Sequence, residues 1–167
     1  MKLFATLFVF LFLQGCATLD TRTQSVESSV IPSIWNASGR IGVISQGQSQ
    51  SLGFDIEFNH RAFDLTLIGA LGLGQVSVKS TAQGLFINKV KTNLNLQQWM
   101  NQELGWHFPL EKLPNIVFQY QLSGNPDWTV EVSKFMKYEN SYLAKVIKLK
   151  HQSQSIKIKL LLQEFSS

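Results

Sequence analysis

The chain has 167 residues, room for one domain with a sizeable core, and its 44% hydrophobic content excludes a disordered protein. The formal charge of +4 is modest, and its 15 basic residues are scattered along the sequence, which excludes the basic stripe of a nucleic-acid binder. One cysteine excludes an internal disulfide.

The first element is an export signal. Lys2 precedes the uninterrupted apolar run Leu3 to Leu13, too short to span a bilayer as a settled helix, so residues 1–15 read as a signal peptide. Leu13-Gln14-Gly15-Cys16 has the form of a bacterial lipobox, with small Gly15 before the cysteine. Cys16 is therefore the expected lipid-attachment site (palmitate among its acyl groups) and the mature N-terminus. Each buried methylene would add about 0.8 kcal/mol of membrane affinity. Ala17, where an Asp would signal retention at the inner membrane, favours the periplasmic face of the outer membrane. Residues 16–33, rich in Thr, Ser and Gln, read as the lipidated N-terminus and a flexible tether, and the folded domain is expected over 34–167.

From Trp35 the pattern is mostly alternation. Asn36 to Ser45 predicts a strand, followed by a turn at Gln46-Gly47-Gln48. Ser51 to Asn59 places Leu52, Phe54, Ile56 and Phe58 on one face and Gly53, Asp55 and Glu57 on the other. Phe63, Leu65 and Leu67 repeat the pattern, as do Val76 and Val78, and Leu85 to Val90 reads as the next strand. Between Ile68 and Gln75 the loop Gly69-Ala70-Leu71-Gly72-Leu73-Gly74 sets leucines among glycines with no charge. An exposed apolar tip on a membrane-tethered protein points to lipid contact. The competing reading folds Leu71 and Leu73 back into the core.

Leu94 to Leu104 changes period, with Leu96, Trp99, Met100 and Leu104 on one helical face and Gly105 as the stop. Pro109 and Pro114 allow only a short second helix. Strand character returns at Trp128 to Val132, Leu143 to Leu149 and Ile156 to Leu162, where Lys157 and Lys159 alternate with apolar residues. The predicted fold is mainly β with a few helices. A curved antiparallel sheet forms an open half-barrel, with the helices plugging an apolar cavity.

Signals for chemistry are absent. His60, His107 and His151 are isolated, there is no HExxH or GxSxG, and glycines at 69, 72 and 74 do not make a phosphate cradle. No enzyme, metal or cofactor is expected.

With these residues in place, the chain resembles the LolB family, outer-membrane receptors of bacterial lipoprotein localisation. The likeness runs from Cys16 through Trp35, Gly39-Arg40-Ile41 and Leu65 to Gly72, then Leu104 to Pro109, Gly124-Asn125-Pro126 and Ile156 to Leu162. The family usually carries proline where this chain has Ala70, and a tryptophan before its Gly-x-Pro element where this chain offers Tyr120. The resemblance implies a half-barrel that takes acylated lipoproteins from the periplasmic carrier LolA and inserts them into the outer membrane. It maps the family's membrane-inserting loop leucine onto Leu71, with Leu73, Gly69 and Gly72 completing the loop. Residues suited to line the acyl-chain cavity are Phe54, Ile56, Phe58, Phe63, Leu65, Leu67, Trp99 and Trp106. The expected partners are LolA, lipoprotein cargo and outer-membrane lipids, with the chain acting as a monomer and no nucleic acid involved. Two other readings stay open: an outer-membrane lipoprotein holding a glycolipid or fatty acid, and an assembly accessory with a filled core.

Overall fold

A computed structural model of the protein describes residues 30–69 and 74–167. Among them, nine strands form one antiparallel sheet that does not close. The chain first makes a meander of β1 (Ile34–Ser45), β2 (Gln48–Asn59), β3 (Ala62–Ile68), β4 (Gln75–Thr81), β5 (Gly84–Ile87) and β6 (Val90–Thr92). It then crosses the inner face through α1 (Leu96–Glu103), a single 3-10 turn (Leu110–Lys112) and α2 (Leu113–Gln119). It re-enters as β7 (Trp128–Tyr138), and β8 (Ser141–His151) and β9 (Ile156–Ser166) bring it back to β1. The spatial order is β6-β5-β4-β3-β2-β1-β9-β8-β7.

The alternation in sequence becomes a two-sided sheet. Trp35, Ala37, Ile41 and Val43 of β1, Phe54, Ile56 and Phe58 of β2, and Ile156, Ile158, Leu160 and Leu162 of β9 are buried on the inner face. Asp55, Glu57, Lys157 and Lys159 point out to solvent. Register is pinned because a one-residue slip would turn every buried side chain outward.

Trp35 ties the layers together. Its ring stacks on Phe58 at 4.6 Å and meets Phe118 of α2 edge-on at 5.5 Å. Phe165 of β9 lies 5.7 Å away. The chain is already held before β1: Ile31 packs on the core, and the Ser33 carbonyl accepts from the His60 amide at 2.6 Å.

Two strand expectations change. Leu85 to Val90 is not one strand, because Asn88 and Lys89 both adopt positive φ (48° and 71°) and turn the chain tightly between β5 and β6. β7 continues past Val132 to Tyr138, since a register irregularity between Val132 and Phe135 breaks the alternation without ending the pairing with β8.

The predicted first helix is present and starts at Leu96. Asn95 caps it by accepting from the Gln98 amide, while the Gln98 side chain accepts from the Asn95 amide. Gly105 ends it at φ 74°. Trp99 and Met100 are its buried face.

Candidate functional site

The inner face of the sheet collects the apolar residues that sequence patterning singled out. Phe54, Ile56, Phe58, Phe63, Leu65, Leu67, Trp99 and Trp106 are all buried and belong to one continuous cluster. The register explains why: Phe54 lies opposite Leu67, Ile56 opposite Leu65 and Phe58 opposite Phe63, so the two strands present one apolar surface. Trp106 is pinned where the segment after α1 meets the first hairpin. Its Nε1 donates to Gln50 Oε1 at 3.1 Å, and Ser45 Oγ donates to the Gly105 carbonyl at 3.2 Å.

Toward β6 the same face loses its cover. Val76 pairs with Leu67, Ile87 with Val78 and Val90 with Ile87, so all three continue the inner surface. Here α1 leaves a groove of about 820 Å³, lined by Val76, Ile87, Val90, Leu94, Trp99 and Leu104, with Asn88, Lys91 and Glu103 among its polar residues. Val90 is 69% exposed. Of the predicted cavity residues, Trp99 opens onto this groove. Sequence reading did not single out Val90, Leu94 or Leu104 as lining residues. Only the strand register shows that Val90 lies on the apolar side of an edge strand.

A second cavity, of about 550 Å³, is more polar and includes Phe63, Asn95, His107, Phe108, Asp127, Trp128 and His151. His107 is buried, with Nδ1 at 2.9 Å from Asn101 Oδ1 and Nε2 at 3.2 Å from the side-chain Nε2 of Gln97. Its ring centroid is 5.8 Å from those of His151 and Trp128. Burial lowers the pKa of His107, and the neighbouring His151 lowers it further, against an opposing pull from Asp127 and Glu111. His151 Nδ1 accepts from the Gln154 amide at 3.1 Å. These histidines are fixed parts of the helix–sheet seam. Among the described residues, no group of three His, Cys, Asp or Glu could hold a metal, and no helix is long and apolar enough to cross a membrane.

The β3–β4 hairpin is described up to Gly69 and from Gly74, where the Gly69 amide donates to the Gly74 carbonyl at 2.9 Å. Leu71, Gly72 and Leu73 lie outside the described residues, as does Cys16.

Comparison with known proteins then gives consistent results. The family model described as "Outer membrane lipoprotein LolB" matches residues 33–118, just over half of the chain, from the start of β1 nearly to the end of α2. The chain is similar to the outer-membrane lipoprotein LolB of Francisella tularensis subsp. novicida, at 23% identity over 191 residues that cover 94% of this chain and 91% of that one. It is also similar to LolB of a Marinomonas species, at 27% identity over 107 residues covering 60% and 56% of the two chains.

Proposed function

Because the chain belongs to the LolB family, outer-membrane lipoproteins of the lipoprotein-localisation pathway rather than enzymes, we propose that it accepts acylated lipoproteins from the carrier LolA and inserts them into the outer membrane. The observation that carries this reading is the apolar inner face that runs uncovered past α1 to Val90. An acyl chain in water is unfavourable by about 0.8 kcal/mol per methylene, so a protein that moves one must keep it covered. An open sheet can do so at its edge, where Trp99 and Leu104 line the groove with Val76, Ile87 and Val90.

No nucleotide is required. Cargo moves forward if its chains are more stable on this receptor than on the carrier, since only the difference in affinity between the two matters. In this account Cys16 carries the lipid anchor on the periplasmic face of the outer membrane. Leu71, with Leu73, Gly69 and Gly72 in the same loop sequence, enters the lipid and lets the chains pass from protein to bilayer. The test mixes the protein with carrier loaded with a triacylated lipoprotein and asks by pull-down whether the lipoprotein changes hands. Hand-over supports the receptor reading. Binding of an acyl probe without hand-over would favour a receptor for another apolar ligand.

A further inference from the structure

Four lysines between residues 148 and 159 converge in space. On the outer face of the sheet Lys148 lies directly opposite Lys159, and Lys150 directly opposite Lys157. All four are exposed. Like charges placed directly across a strand pair destabilise it, and here two such pairs are adjacent. Glu131 is the one carboxylate in register with them among the described residues, 2.7 Å from Lys148 Nζ. The four side chains border a shallow groove of about 580 Å³ that also takes in Gly42, Ile44 and Thr129. Ile44, 50% exposed, sits opposite Lys157 on β1.

At the Ile34 end of β1 the outer face carries Asp55, Glu57 and Glu164 beside Asn36 and Ser38, and a lysine in register with them, Lys79, is paired with Asp64 at 3.3 Å. Lys148, Lys150, Lys157 and Lys159 occupy the Ser45 end. β3 runs parallel in direction to β1, two strands away, so it ends at Gly69, hydrogen-bonded to Gly74, while heading toward the same end of the sheet as the lysines.

We propose that the Lys148, Lys150, Lys157 and Lys159 patch binds the anionic headgroups of phospholipids and orients the domain with its Ser45 end toward the membrane. Lysine is a compact point charge without arginine's fixed fork, which suits a diffuse phosphate layer better than a geometrically defined carboxylate partner. An exposed isoleucine among the ammonium groups fits the interfacial region, where apolar and phosphate contacts alternate. The inference goes beyond cargo transfer and stands whether or not a lipoprotein is handed over.

Lysine acetylation footprinting of the full chain tests it, in phosphatidylcholine vesicles with and without phosphatidylglycerol. Lys137 and Lys112 serve as exposed lysines outside the patch. With phosphatidylglycerol present, the four patch lysines should react about fivefold more slowly, the factor equivalent to the roughly 1 kcal/mol by which an anionic surface attracts each lysine. Lys137 and Lys112 should be unchanged, and high salt should remove the protection. Equal reactivity in both vesicle types overturns the proposal. So does protection that needs the lipoprotein carrier rather than phosphatidylglycerol, which would make the patch a protein-docking surface.

Discussion

Gly39 lies so close to the Leu161 carbonyl that a Cβ on it would sit 2.0 Å from that oxygen and 3.0 Å from the Phe54 ring. The contact falls where the β1–β9 register shifts between Ser38 and Gly39, so the glycine lets β9 bend against β1. Gly39→Ala should destabilise the fold by about 3 kcal/mol, the upper end of the overpacking range. At Gly42 the nearest atom to an added Cβ is the Lys159 carbonyl at 4.0 Å, and Gly42→Ala should stay within about 0.5 kcal/mol. Urea unfolding of the two variants checks both. Equal stabilities would mean that the close approach at Gly39 is not a constraint.

His107 gives the fold a pH dependence of defined sign. Burial and His151 hold its folded pKa below the unfolded value of about 6.5. The unfolded chain therefore takes up the proton first. The stabilisation is complete above about pH 6.5 and is lost as pH falls toward the lower folded pKa. The melting temperature should drop between about pH 7 and about pH 5, and less steeply in His107→Gln. An unchanged slope in the variant would assign the dependence to other groups.

Val90 tests the groove without disturbing the packed core. It is exposed on the short edge strand β6, so Val90→Glu should change folding stability by no more than about 0.5 kcal/mol. A carboxylate facing an acyl chain would be desolvated, and affinity for a fluorescent fatty-acyl probe should fall about tenfold or more. Undiminished binding would place the chain elsewhere on the inner face.

Leu71 is argued from its glycine-flanked, uncharged sequence. Leu71→Glu should leave the melting temperature and cargo uptake nearly unchanged and block release into liposomes. A sharp fall in melting temperature would instead make Leu71 a core residue. If Leu71→Glu is silent, Leu73→Glu is the next variant to assay.

Much of the sheet was legible because one face is buried, and burial writes a period of two into strands such as β2 and β9. The first helix was equally readable, since Leu96, Trp99, Met100 and Leu104 repeat at three and four and Gly105 stops it. The Asn88-Lys89 turn was not, because it carries no glycine to advertise its positive φ. The true length of β7 was hidden because Lys134 and Phe135 interrupt the apolar alternation begun by Val130 and Val132, at the register irregularity. The groove at Val90 and the lysine patch were illegible for a common reason. Each depends on the register of a hairpin between consecutive strands, β5–β6 and β8–β9, which alternation within a single strand does not fix. Lys148 and Lys159 meet only because β8 pairs with β9 in that register.

The most direct test of the central claim is to load the carrier with a lipoprotein whose acyl chain bears a photoactivatable group, mix it with this protein, irradiate, and map the cross-links. Adducts should fall on inner-face residues around the groove, with Trp99, Val76, Ile87 and Leu104 foremost, and few on the outer face. Adducts confined to the outer face, or cargo that stays on the carrier, would contradict the claim.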